Sequence, residues 1–197
     1  MNYPEFFDAV TPIVLRDELA EFLGSAEKGI IEIRYAEIVK MAGHSCAVVA
    51  GAYLMAQKGL AALYGAEMPQ RGGIRVELRR KPGEDNAGVT GSVLSNITGA
   101  AYGDMGFSGI MQNRFKRRDL LLFGVDMESD VRFTRLDTGV SVSVNYRPGK
   151  VVDPRPILMS AIGPHATDET RSSFPKRWQE MVKSLFDHAG QVVEVVR

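Results

Sequence analysis

From Ala47 to Tyr64 nearly every position is apolar or small, and only Gln57 and Lys58 are strongly polar. A helix with apolar residues on all sides is a buried one, and the stretch is far longer than a typical strand, so the pattern predicts a central helix. Its alanines and glycines let neighbouring elements approach closely. Around it the spacing is amphipathic. Phe6, Phe7, Val10, Ile13, Val14, Leu19 and Phe22 suit an N-terminal docking helix over about residues 4–22, interrupted near Thr11-Pro12. The run from Ile30 to Tyr35 predicts a short strand that leads into a helical stretch from Glu37 to Met41, closed by Gly43.

Downstream of the central helix the period changes. Ile74, Val76 and Leu78 alternate with Arg75, Glu77 and Arg79, which predicts a strand with one solvated face. The segment from Gly88 to Ala101 carries three glycines and four hydroxyl residues and predicts a short buried helix near a site. Gly103, Gly106 and Gly109 then follow at a spacing that is not the dinucleotide fingerprint, and they read as turn glycines.

The last third reads mainly as sheet. Leu120 to Phe123 is a short apolar strand, and Val131 to Leu136 and Val140 to Tyr146 flank Asp137-Thr138-Gly139 as a hairpin. Val140, Val142 and Val144 should face the core. Ile157 to Ile162 allows one further strand. Trp178, Met181, Val182, Leu185 and Phe186 predict a C-terminal helix over about 174–189, with Gly190 closing it and Val192 to Val196 as a last strand. With no repeat, low-complexity tract or linker, residues 1–197 read as a single α+β domain. Its mixed or antiparallel sheet packs against the buried Ala/Gly-rich helix.

The chain has 197 residues, 45% of them hydrophobic, enough for a core without metal or disulfide staples. Any metal is then functional rather than structural. Lys+Arg and Asp+Glu both number 24, so net attraction to nucleic acid or to an anionic membrane is not expected. The single cysteine excludes an internal disulfide, Met1 to Glu5 lack a signal-like pattern, and no uninterrupted apolar run reaches about eighteen residues. These features fit a cytoplasmic protein.

Candidate chemistry centres on Gly43-His44-Ser45-Cys46, where a histidine stands two residues before the only cysteine and just ahead of the central helix. Free backbone N–H groups and the helix dipole favour a thiolate there. A thiolate beside an imidazole is a metal half-site or a nucleophile; the plain alternative is a cysteine packed as a small hydrophobe. Lys116-Arg117-Arg118 with Arg114, and Arg71 beside Gly72-Gly73, are basic groups that suit a phosphate or carboxylate or simply a solvated loop. Ser92, Ser95 and Thr98 could line a pocket, although hydroxyls bonded to helix carbonyls are the commoner case. No G-x-S-x-G elbow is present.

Gly43-His44-Ser45-Cys46 opening an Ala/Gly-rich helix, then Glu84-Asp85-Asn86, Gly88-Val89 and Thr98-Gly99, resembles the FmdE-like family, named for the E-subunit of formylmethanofuran dehydrogenase, across roughly residues 36–123. The resemblance implies a dimeric α+β fold with a divalent metal, usually zinc, associated with the positions of His44 and Cys46. It does not imply formylmethanofuran chemistry. Ala42, Ala47-Val48 and Ala87 stand where that family often has a histidine, Pro-Gly and a cysteine. A third ligand would have to come from Asp85, from His165 or from a partner chain, since a catalytic zinc takes three protein ligands. His188 suits a helix-end charge better than a ligand.

Three functional readings are open to the sequence. The first is a zinc-binding FmdE-like protein, which is an enzyme if a metal-bound water or the Cys46 thiolate acts on a small molecule. The second is a non-catalytic module that holds a metal or haem-like ligand. The third is a metal-free protein that binds an anionic metabolite. A homodimer is expected from the resemblance and from the small-residue helix.

Overall fold

The computed structural model describes residues 3–196. The N-terminal segment holds α1 (Phe6–Ala9), β1 (Ile13–Arg16), α2 (Glu18–Phe22) and β2 (Ile30–Ile33), with β1 and β2 paired antiparallel. This corrects the docking helix over 4–22. Pro12 disfavours helix at Thr11, and the Thr11 carbonyl accepts instead from the Tyr53 hydroxyl at 3.1 Å. α2 restarts because the Asp17 side chain accepts from the backbone N–H groups of Leu19 and Ala20.

α3 (Tyr35–Ala42) ends at Gly43, which has a left-handed φ of 77°, and α4 (Ala47–Tyr64) follows. α4 is the centre of the molecule. Its 18 residues make it long and apolar enough to cross a membrane by length and composition, but 72% of it is buried inside the fold, which accounts for that apolarity. Its wall is α5 (Ala87–Thr98), and its floor is a five-stranded sheet.

The sheet is built from β3 (Ile74–Leu78), β4 (Leu121–Phe123), β5 (Val131–Arg135), β6 (Ser141–Tyr146) and β7 (Val193–Val196), in the order β4-β3-β5-β6-β7. β4 runs parallel to β3, and every other pair is antiparallel, so the sheet is mixed. The register sets Phe133 opposite Val76 and Val142, and Val131 opposite Leu78 and Val144. These side chains form the face beneath α4. Gly59 lets Phe133 come close: a Cβ there would stand 2.6 Å from the ring.

The sheet departs from simple alternation in two places. Glu77 is 5% exposed rather than solvated, because Arg132 and Thr134 on the neighbouring strand satisfy its carboxylate. Val140 is 54% exposed and only Val142 and Val144 are buried, since β6 begins at Ser141. α4 covers those valines.

The C-terminal helices also differ from the pattern. Residues 157–162 are not a strand but part of α6 (Pro154–Ile162), started by Asp153 as N-cap and Pro154 in the first turn. α7 (Asp168–Asp187) begins well before residue 174, at the Thr167 cap, and carries Pro175 inside it. His188 ends α7, so Gly190 lies within the short α8 (Ala189–Val192) rather than closing the long helix. α7 packs on α4 and carries Phe186 to Tyr35, with ring centroids 4.6 Å apart. Tyr35 also meets Phe7 and Tyr53 edge-on.

Candidate functional site

The turn from α3 into α4 presents the His-x-Cys pair. Cys46 is the N-cap of α4 in extended geometry, with φ −150° and ψ 175°. His44 is exposed, Ser45 is buried, and Cys46 is half-buried. His44 faces solvent, whereas half-buried Cys46 packs against the core beside Tyr35 and Tyr146. Ser45 is firmly held. Its hydroxyl bonds the Tyr35 hydroxyl at 2.9 Å, and its carbonyl accepts from Trp178 Nε1 at 3.0 Å and Gln179 Nε2 at 3.3 Å.

His44 Nδ1 lies 3.0 Å from the Ala42 carbonyl, which can only accept, so Nδ1 carries the proton and Nε2 of the neutral ring is left as a donor atom. Beside the pair, Tyr146 donates to the Ala47 carbonyl at 2.7 Å. Burial pushes the Tyr35 and Tyr146 hydroxyls well above the ordinary tyrosine range, and negative charge on Cys46 adds to the rise in both. They are neutral hydroxyls, not anionic ligands.

The other candidate ligands lie apart. Asp85 sits in a left-handed turn, is ion-paired with Arg80, and lines a pocket of about 390 Å³ with Val48, Met55 and Tyr146. His165 is exposed in the loop before α7, and the helical rise from Asp168 to Trp178 alone is roughly 15 Å. His188 Nδ1 lies 2.8 Å from the Ser184 carbonyl at the C-terminal end of α7. Among the described residues no three His, Cys, Asp or Glu side chains gather as a metal site. One chain therefore offers two donors, where a structural zinc takes four and a catalytic zinc three.

Far from Cys46, beyond the C-terminal end of α4, the two groups of arginines separated in sequence meet. Asp17 accepts from Arg71 Nη1 at 2.8 Å and from Arg117 Nη2 at 2.7 Å. Arg71 also reaches the last carbonyls of α5, bonding Ile97 at 3.1 Å and Asn96 at 3.0 Å. Gly72 and Gly99 have positive φ, and a Cβ at either would run into the Arg117 guanidinium. Burial lowers the Arg117 pKa against the pull of Asp17, yet a guanidinium stays charged. Burial also pushes the Asp17 carboxyl up, and the two arginines and the Ala20 N–H more than reverse this.

Sequence reasoning named Arg71 and Arg117 but not Asp17, Tyr35, Tyr146 or Gln179. Asp17 had a signal, an N-cap residue ahead of Glu18-Leu19. The tyrosines had none beyond their apolar surroundings. Ser92 and Thr98 bond the carbonyls of Gly88 and Leu94 within α5, so their hydroxyls are satisfied by the helix. Gly103, Gly106 and Gly109 all have positive φ, as turn glycines do. No protein-family model matches the chain, and no curated protein matches it significantly.

Proposed function

We propose that His44 and Cys46 are one half of a zinc site on a binding protein of the FmdE-like type, the other half coming from the same two residues of a second copy. The observation that carries this reading is the His-x-Cys pair at the head of α4, with the exposed His44 leaving Nε2 free. A metal-ligating histidine characteristically gives its other ring N–H to a carbonyl, the role Ala42 plays here. A thiolate and an imidazole together favour zinc among common divalent ions.

Two copies related by a two-fold axis would supply Cys₂His₂, a complete tetrahedral set. Such a set leaves no open position, so the metal holds two chains together rather than activating water. Asp85 and His165 have no part in it. Zinc content and light-scattering mass, measured on the same untagged protein, test the reading. About one zinc per two chains and a dimer mass are expected, with Cys46→Ser losing both and His188→Ala losing neither. Zinc-free wild-type protein, or unchanged zinc content in Cys46→Ser, would overturn it.

A further inference from the structure

The carbonyl of Ser45 stands between the two donors of the half-site, and α4 makes no bond to it. The first carbonyl that the helix engages is that of Cys46, which accepts from the Ala50 N–H at 2.9 Å. Ser45 is held instead from α7, where Trp178 Nε1 and Gln179 Nε2, 133 and 134 residues away in sequence, both donate to its carbonyl. We propose that Trp178 and Gln179 are the positioning residues of the half-site, setting the placement of Cys46 relative to His44, a role that rests on the zinc reading of that pair.

Covalent geometry supplies the lever. A carbonyl lies in one plane with the N–H of the next residue, so holding the Ser45 oxygen fixes the whole peptide that joins Ser45 to Cys46. The remaining constraints are local. His44 is tethered through Nδ1 to the Ala42 carbonyl, and Cys46 opens α4 at φ −150°. Without the two bonds from α7, Ser45 would be left, among the described residues, with the contact of its hydroxyl to that of Tyr35 at 2.9 Å.

Gln179 is placed to serve Ser45 at its own expense. Its Oε1 is buried without a partner among the described residues, and exchanging the amide oxygen and nitrogen would only turn that oxygen on the Ser45 carbonyl. Trp178 is braced by Phe174, with ring centroids 5.3 Å apart. Two donors occupy both lone pairs of one carbonyl, which leaves it little freedom to turn. Outer partners of this kind touch no metal, yet they govern metal affinity by about 10–100-fold.

Zinc affinity, measured by competition with a chromophoric chelator, and the absorption spectrum of the cobalt(II)-substituted protein test this role on the untagged full chain. Trp178→Phe keeps a ring against Phe174 and deletes only the N–H, while Gln179→Met deletes a donor together with the unpartnered oxygen. The double variant should bind zinc about 10–100-fold more weakly than wild type, with an altered thiolate-to-cobalt charge-transfer band, and each single variant should show a smaller loss. Leu185→Val is the control. Leu185 is a fully buried residue of the same helix whose apolar side chain makes no bond to Ser45, so its truncation should lower the melting temperature and leave zinc affinity and the cobalt spectrum unchanged. A double variant within about twofold of wild type with an unchanged spectrum, or an equal loss in Leu185→Val, would overturn the positioning role alone wherever zinc binding still depends on Cys46. Zinc-free wild-type protein would overturn the zinc reading and this role with it. If the double variant does not fold, Trp178→Phe decides by the same two measurements.

Discussion

Replacing Gly59 with alanine should destabilise the protein even though alanine is the better helix former. In the middle of α4 the exchange gains about 1 kcal/mol of helix propensity. The new methyl group would stand 2.6 and 2.7 Å from two ring carbons of Phe133 and 3.4 Å from a Val144 methyl. Ordinary carbon contacts are about 3.5–4.0 Å, so the ring would have to retreat by close to 1 Å. Phe133 is fully buried in the central strand of the sheet, between Val76 and Val142, and has nowhere to go. Overpacking of this kind costs about 1–3 kcal/mol, and a site with so little slack belongs at the top of that range. The net loss is about 2 kcal/mol, read as a fall of about 4–8 °C in melting temperature for a chain of this size. Scanning calorimetry on Gly59→Ala, Phe133→Leu and the double variant forms a cycle in which the smaller residue should relieve the larger one. Gly190→Ala is the control: a Cβ there meets nothing within 4 Å, and a gain of a few tenths to about 1 kcal/mol is expected. A Gly59→Ala protein at least as stable as wild type, or strict additivity in the cycle, would refute the reasoning.

Acid should unfold the protein through its paired carboxylates. Two hydrogen bonds from Arg132, both 2.7 Å, hold the Glu77 carboxyl below the usual carboxylate range despite its burial. Asp17 and Asp130 are also lowered, because their arginine and backbone partners outweigh the burial that pushes both up. Depressed folded values mean that this stability is complete above the ordinary carboxylate pKa and is lost as pH falls through the folded values. Melting temperature should therefore fall below about pH 4, and less steeply in Glu77→Gln; a rise from pH 5 to 3 would contradict this. Asp17→Ala removes the cap of α2 and strands two guanidiniums from a side chain only 4% exposed, so a loss of about 3–5 kcal/mol is expected in urea unfolding. A loss under about 1 kcal/mol would show that Arg71 and Arg117 find other partners.

The parts of the fold that could be read from sequence are those in which a single period governs the whole element. α4 spans the residues its apolar run predicts, and β3 and the hairpin of β5 and β6 lie where alternation and a turn glycine put them, apart from the buried Glu77 and the exposed Val140. Errors arise where a cap overrides periodicity. Thr167 starts α7 early, on a polar stretch with no apolar face to reveal it, and Asp153 with Pro154 turns an apolar run into α6. The candidate sites divide in the same way. The adjacency of His44 and Cys46 is legible in the sequence, whereas the anchoring of the intervening Ser45 involves distant residues, Trp178 and Gln179. A buried ion-pair cluster joins Asp17, Arg71 and Arg117, up to one hundred residues apart, in a way that no sequence spacing encodes.

The aromatic packing around Tyr35 has a consequence for how the chain comes to be folded. Phe7, Tyr35 and Tyr53 belong to the first third of the sequence, yet the ring that closes their cluster is Phe186. During synthesis the early helices can form, but their shared core stays open on one side until residue 186 has left the ribosome. β7 at Val193–Val196 completes the sheet later still. The core of the N-terminal half therefore closes only once Phe186 is available, and in the interval the exposed rings are a surface that chaperones would recognise.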